Sequence, residues 1–294
     1  QLLAEGFYSA AQLDEARRAL GVAQAQQDSA RAQVQANADA GTEVVQAQAL
    51  CDGRLMLGVG KGAFGFETGR LNVPMEETQK RFRESLAVLE TLLTREEVSW
   101  AGDYYNFEPL TIMPRPQDPI PLMLAVMAPP GIEDAARRGY HVQTTPLGAS
   151  NQILQDQVNA FHRGKAAGGV TGTRLSLQRG IYLAKDKADA QDKIARAHAY
   201  YSRFDNVFGG PGIVEAGIIK ALPRQQTIEE LGANILICGE DEMIERLTEY
   251  AELGIDEVIA SSNFGQDQAE TLAMMDRFAA RVMPHIKAMG RKAA

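Results

Sequence analysis

Glycine and lysine crowd one short stretch of the chain, Arg54-Leu55-Met56-Leu57-Gly58-Val59-Gly60-Lys61-Gly62. Three glycines at the end of an apolar run let the backbone turn sharply and approach a ligand closely. Lys61 stands inside that turn as a ready cation. A strand ending in such a loop suits a ligand site at the carboxyl edge of a parallel α/β sheet. A tight βα turn with a solvated lysine fits the pattern equally. Elsewhere no Ser-His-Asp set, metal cluster or carboxylate pair stands out. His141 falls at a strand's start, on the wrong edge, and His162, His198 and His285 fall on helices. Cys51 and Cys238 have no metal spacing and do not make a disulfide framework.

The elements that must position this loop alternate. Leu55 to Val59 reads as a strand buried on both faces, and Asp52-Gly53 punctuates its start. Thr42 to Leu50 reads as a short helix with Val45 and Ala49 on one face. Pro74 to Thr94 reads as a longer one with Phe82, Leu86, Leu89 and Leu93 inward. Glu96 to Phe107 has the pattern of a hairpin turning at Gly102-Asp103. Strands are then expected at 122–127, 140–145, 175–184 and 257–261, with a short extended piece at 235–237. Helices are expected from Pro129-Pro130-Gly131, around Ser150, from the capping Asp186 to about Phe204, from Glu240, and unbroken over 267–289. Strands alternating with helices imply a parallel sheet with helices outside. Five βα units start at residues 54, 122, 140, 175 and 257, against the eight of a closed barrel.

A chain of 294 residues suffices for one large α/β domain or two small ones. Its 45% apolar content rules out wholesale disorder, and a net charge of −8 argues against a nucleic-acid partner. No apolar run reaches the roughly 20 residues of a membrane span. The start lacks a signal-peptide pattern, although a chain beginning at Gln1 leaves secretion open. The expected compartment is reducing and cytoplasmic.

Residues 1–40 differ from the rest, being rich in Ala and Gln. Ser9 with Gln12 fits a capping box. A heptad follows, Leu13, Leu20, Gln27 and Val34 at one position and Ala16, Ala23 and Ala30 at the other. Residues 1–41 are therefore expected to be a helical, coiled-coil-like segment ahead of an α/β domain at 42–294. An ordinary amphipathic surface helix is the alternative. The run from Leu2 to Ala16 resembles the helical hairpin of periplasmic efflux adaptor subunits, although none of an adaptor's β-rich domains follows.

From about Thr42 to Met289 the chain resembles the bacterial luciferase-like flavin-dependent monooxygenases. Asp52 to Gly62 is similar to that family's fourth strand and its flavin-facing loop. Pro74-Met75-Glu76-Glu77 through Leu86 is similar to the helix that follows, and Gly102-Asp103-Tyr104-Tyr105-Asn106-Phe107 with Met113-Pro114-Arg115-Pro116 to its hairpin. Pro121 to Ala125, Ala135 to Tyr140, Cys238 to Glu242 and Val282-Met283-Pro284 match in order. The resemblance implies a TIM-type barrel, reduced FMN or the deazaflavin F420, and oxidation of a small organic substrate. For the monooxygenases it implies oxygen as co-substrate and a separate flavin reductase. Two departures stand out. The first three strands of the family barrel have no counterpart, so five of eight βα units are read. Ala128-Pro129-Pro130-Gly131 also replaces hydroxyl residues that hold the flavin phosphate in many relatives, leaving backbone N–H groups and the helix dipole.

The resemblance implies cofactor contacts at the carboxyl ends of the strands. These are Lys61 and Gly62, Phe64 to stack on the ring, Ala128 and Gly131 at a helix start, Thr144 and Thr145, and Asn263. Lys80 and Arg81 are further cations that the resemblance brings toward the phosphate, although a solvated helix face accounts for them better. The acidic start Glu240-Asp241-Glu242 repels a phosphate, which is expected near Lys61 and Pro129–Gly131 instead. No catalytic residue is assigned and no metal is expected. Arg179, in mid-strand, must find a partner or face the barrel interior. The first reading is a flavin-dependent monooxygenase. The second is a non-catalytic incomplete barrel joined to an adaptor-like helix, since an open sheet leaves edges unpaired and admits water. A second copy of the chain, in a homo-oligomer, is one way to close it.

Overall fold

The computed structural model describes residues 43–208 and 210–290. The helical expectation for residues 1–41, with its heptad and adaptor resemblance, lies outside them. The elements in chain order are α1 (residues 43–50), β1 (Leu57–Val59), α2 (Gly65–Arg70), α3 (Thr78–Thr94), β2 (Val98–Ala101), β3 (Asn106–Leu110), β4 (Leu122–Ala125) and α4 (Pro129–Arg137). There follow β5 (His141–Thr144), α5 (Asn151–Gly168), β6 (Leu175–Leu183), α6 (Lys187–Tyr201), α7 (Phe204–Phe208), β7 (Val214–Glu215) and β8 (Ile218–Ile219). The chain closes with α8 (Ile228–Asn234), β9 (Leu236–Cys238), α9 (Glu240–Glu252), β10 (Glu257–Ser261), α10 (Gln268–Arg281) and α11 (Met283–Gly290). Two compact units form. One holds the described residues up to Leu57 with Gln79–Ile120, the other Gly58–Thr78 with Pro121 onward.

In the first unit α1, α3 and the antiparallel hairpin β2–β3 share a core of Val45, Val88, Leu92, Leu93, Val98 and Ile112. The inward face of α1 is Val45 with Gln48, three residues on; the expected Ala49 is exposed. The hairpin turns at Gly102 as expected, and Glu84 of α3 holds the turn. Its carboxylate accepts the backbone N–H groups of Asp103, Tyr104 and Tyr105 at 2.9–3.2 Å and the Trp100 indole N–H at 3.2 Å. A Cβ on Gly102 would stand 2.0 Å from a Glu84 carboxylate oxygen, so a larger residue there must displace the carboxylate from the N–H groups that it holds. Carboxylates accepting several N–H groups make strong, charge-assisted bonds.

The second unit is built on a sheet in the order β1-β4-β5-β6-β10, with β9 also pairing β6, and the pairings from β4 onward are parallel. The five expected strands fall in this sheet, and the short extended piece at 235–237 joins it as a sixth. Asp186 caps α6 as expected, accepting the N–H groups of Ala188 and Asp189. Helix α3 starts at Thr78 rather than Pro74, because Glu77 and Thr78 bond three residues back, to Pro74 and Met75, in separate turns. The last helix is broken into α10 and α11 at Val282. Pro284 lacks the N–H that a continuous helix would aim at Ala280. Helix α6 stops at Tyr201. The chain then restarts as α7, organised by the buried Asn206, which bonds Ile213 and Lys220 at 2.8–2.9 Å and so fixes the small β7–β8 hairpin.

Two buried cations are accommodated differently. Arg179 on β6 is 1% exposed and donates to the carbonyls of Leu147 (2.8 Å) and Asn234, to Asn151 (3.4 Å) and to the Tyr250 hydroxyl (3.3 Å). It has found partners, as burial demands. Lys193 on α6 is 2% exposed and pairs with Asp189 (3.1 Å), Asp192 (3.0 Å) and Glu270 of α10 (2.8 Å). Burial opposes the Lys193 charge, but bonds to Glu270, Asp192 and Asp189 outweigh it and raise its pKa. The ammonium in turn lowers Asp192 and Glu270. Burial pushes Asp189 up, yet the Lys185 N–H and Lys193 bring it below the usual range.

Two predictions follow from these contacts. Gly102→Ala will lower the urea midpoint at pH 7 and expose Trp100, read by a red shift in its fluorescence. An unchanged midpoint would show the turn free to shift away from Glu84. The Lys193 cage makes stability depend on pH in a defined sense. Depressed carboxylates stabilise above their unfolded pKa values near 3.8 and 4.5 and lose that contribution as pH falls. A raised lysine stabilises below 10.5 and loses its contribution above it. The stability gap between wild type and Lys193→Met will thus be widest between about pH 5 and 10 and narrow on both sides. A gap constant from pH 3 to pH 8 would contradict the ion-pair account.

Candidate functional site

Register assigns each strand residue to a face, because cross-strand partners project to the same side. Ala125 pairs with Gln143, Gln143 with Ser176 and Ser176 with Glu257. Gln178 and Ser261 lie on the same face by the two-residue period of a strand. The opposite face carries Leu124, Val142, Leu175, Leu177 and Arg179. The sheet is therefore two-sided. One face is apolar and covered by helices, since Val142, Leu175 and Leu177 are fully buried. The other is polar and partly open, with Gln143, Thr145, Gln178 and Ser261 half-buried and Ala125 exposed. On it Ser176 donates to Glu257 at 2.6 Å and Gln178 to the Ser261 hydroxyl at 2.9 Å. Sequence reasoning missed this set. Its signal was the alternation Leu175-Ser176-Leu177-Gln178, which a strand buried in apolar surroundings on both faces would not show.

The expected contacts fare unevenly against this frame. Lys61 is exposed and makes no ion pair among the described residues. Gly62 holds φ +83°, a left-handed conformation that requires glycine. Gly60 lies over the polar face, where its Cβ position is 3.5 Å from that of Ala125. Phe64 precedes α2 and joins a cluster with Phe66 (6.0 Å between ring centres), Phe208 (5.0 Å) and Phe204 (6.5 Å). That cluster continues through Tyr200 to Phe264, beyond β10. Burial pushes the neighbouring Tyr201 hydroxyl up to about 12, so it stays protonated.

Thr144 and Thr145 point to opposite faces. Thr144 shares the covered face with Leu177, and its buried hydroxyl has no partner among the described residues. Thr145 is on the polar face, but its hydroxyl accepts the Leu147 N–H at 2.9 Å. Asn263 is exposed and accepts the Gly265 N–H at 2.9 Å, closing its own turn. Gln157 of α5 donates to the carbonyls of Met127 and Thr145, at 2.9 and 3.2 Å, and so ties together the ends of β4 and β5.

The start of α4 departs from expectation most. Pro129 and Pro130 have no N–H, and the Gly131 N–H bonds Ala128 at 2.9 Å. The first three helical positions thus offer no spare donor to an anion. A Cβ on Gly131 would stand 2.8 Å from Val126, so this glycine serves close packing. Arg81 lies over the Tyr104 ring at 4.4 Å in the first unit, and Lys80 is exposed there.

The histidines are structural where they are bonded. His141 accepts the Arg174 N–H at 3.1 Å, and burial first, then Arg174, lowers its pKa. His162 and His198 bond the carbonyls of Leu253 and Gln226. Among the described residues no group of side chains could hold a metal, and no helix is long and apolar enough to cross a membrane. What the polar face fits is a planar polar ligand. Gly60 and Ala125 leave a floor without bulky side chains, and the same face carries the amides of Gln143 and Gln178, the hydroxyls of Ser176 and Ser261 and the Glu257 carboxylate.

Comparison with known proteins agrees with this architecture. The flavin-dependent trigonelline monooxygenase, oxygenase component, of Acinetobacter baylyi is 26% identical over 260 residues, covering 82% of this chain and 70% of that protein. An F420-dependent glucose-6-phosphate dehydrogenase of Beutenbergia cavernae is 27% identical over 249 residues, covering 83% and 72%. The oxygenating constituent of 3,6-diketocamphane monooxygenase from Pseudomonas putida, solved with FMN, superposes with a TM-score of 0.65 at 16% identity, covering 84% of this chain and 75% of that one. A sequence model of the luciferase-like monooxygenases matches residues 35–257, well over half of the chain. The chain is an α/β enzyme that belongs to the luciferase-like monooxygenase family.

Proposed function

We propose that the protein is a flavin-dependent monooxygenase acting on a small organic substrate, with reduced FMN as cofactor and oxygen as co-substrate. The observation that carries this reading is the polar, partly open sheet face, floored by Gly60 and Ala125 beside the Gly60-Lys61-Gly62 loop. When bound, the flavin supplies the redox chemistry and the protein supplies binding and orientation. Lys61 meets the phosphate. Gly62 sets the loop conformation that presents it. Thr145 and Asn263, spent on their own turns, keep the adjoining loops in shape. The aromatic cluster of Phe64, Phe204 and Phe208, continued through Tyr200 to the buried Phe264, lines one side with apolar surface. A separate reductase delivers reduced flavin; the Acinetobacter protein's description as an "oxygenase component" supports a division of the reaction between chains. The free thiols Cys51 and Cys238 suit a reducing cytoplasm.

A second reading is favoured by the Beutenbergia relative: hydride transfer with F420 in place of oxygen chemistry. The chain's floor and amides serve either ring. Titration with reduced FMN and with F420, then oxygen consumption against F420 reduction over a panel of small substrates, separates the two. Failure to bind either cofactor would defeat both. Lys61→Ala is expected to weaken cofactor binding about 10- to 150-fold, the loss of one charge-assisted contact. Unchanged affinity would remove Lys61 from the site.

A further inference from the structure

Gln143 is the polar-face residue whose chemistry is unspent. Its side chain is half-buried and makes no hydrogen bond among the described residues. Its neighbours differ. The carboxamides of Gln157, Gln178, Gln226 and Gln266 are each held by hydrogen bonds. The Gln143 backbone is pinned, since its carbonyl accepts the Val126 N–H at 3.0 Å and its rung joins Ala125 to Ser176. Nothing large covers the amide from the β4 side. Its cross-strand partner there is the exposed Ala125, and Gly60 lies beyond with no side chain. A pinned strand position thus presents a free planar amide over a floor of small residues, one place from the carboxyl end of β5.

A primary carboxamide offers one donor and one acceptor side by side in a plane. Its complement is a cyclic imide edge, in which an N–H lies between two carbonyls. The amide N–H then meets an imide carbonyl while the amide oxygen accepts the imide N–H. The tricyclic rings of FMN and of F420 both end in such an imide. We propose that Gln143 binds the imide edge of the cofactor ring and so sets its orientation over Gly60 and Ala125. This rests on the flavin reading given above. It makes Gln143 a binding residue that serves either cofactor, because the imide is the part the two rings share. A carboxylate in its place would accept the imide N–H but repel the carbonyls, and an aliphatic residue would do neither.

The test is an anaerobic equilibrium titration of the intact chain, followed by flavin absorbance and Trp100 fluorescence, with reduced FMN and with reduced FMN methylated at the imide nitrogen; FMN below means this reduced form. Wild type should bind the methylated analogue about tenfold more weakly, the value of a small number of neutral hydrogen bonds. Gln143→Leu should weaken FMN binding by a similar factor, and methylation should then cost it nothing further. Equal methylation penalties in wild type and variant, or FMN affinity unchanged in Gln143→Leu, would overturn the assignment. Should the variant fail to fold by circular dichroism, wild type decides alone: an analogue that binds as well as FMN overturns it. Wild type that binds neither FMN nor F420 would instead sink the flavin reading, and this inference with it.

Discussion

The second unit depends on the pairing of one strand. Leu175–Leu183 takes β5 alongside its first residues, β10 along 176–180 and β9 along 181–183, all parallel. Parallel neighbours cannot be joined by tight turns; each needs a crossover of a dozen residues or more. The helices α5, α6 and α9 are those crossovers. Because the strands run the same way, the loops that leave them gather at one edge. That edge, rather than any single side chain, brings Thr145, Phe264 and the Gly60 loop into one neighbourhood.

The same strand fixes which face is dry. Leu175 and Leu177 require apolar cover on one side, while Ser176 and Gln178 on the other find hydroxyl and carboxylate partners on β10. Arg179 lies on the covered side, where an isolated charge costs several kcal/mol or more. Four neutral acceptors surround it, so its bonds are satisfied without a counter-ion among those partners. Lys193 takes the other solution, three carboxylates contributed by α6 and α10. The first arrangement locks the loop after β5 to the residues before β9. The second locks two helices to each other. Neither charge is left for chemistry.

Much of this was legible in the sequence. Apolar runs and turn residues located the five main strands, the hairpin at Gly102 and the Asp186 cap, because those signals are local. Parity was harder. Thr144 and Thr145 look alike in a string, yet one residue moves a side chain to the other face, and only register decides which. The break at Val282 was readable from Pro284, a residue that cannot complete a helix. The role of Gln48 in place of Ala49 was not, since a buried glutamine contradicts hydropathy. Residues Gln143 and Gln178 were missed for a related reason: amides in strands are read as tolerated polar positions until a sheet shows them side by side.

The start of α4 shows why a helix dipole should not be equated with an anion site. A dipole interaction at a helix end contributes roughly 0.3–1 kcal/mol, whereas a direct bond to a charged group contributes about 1.5–3. The direct bonds come from the first N–H groups, and here two are replaced by proline while the third turns back on Ala128. The prolines favour the helix, since they cost it no internal bond at these positions. In doing so they strip its mouth of donors. Helix stability and anion binding compete for the same few N–H groups, and in this chain stability has taken them. On the cofactor reading proposed above, the phosphate then relies on side-chain charge, which Lys61, on a long flexible stem beside the left-handed Gly62, supplies without rebuilding the sheet.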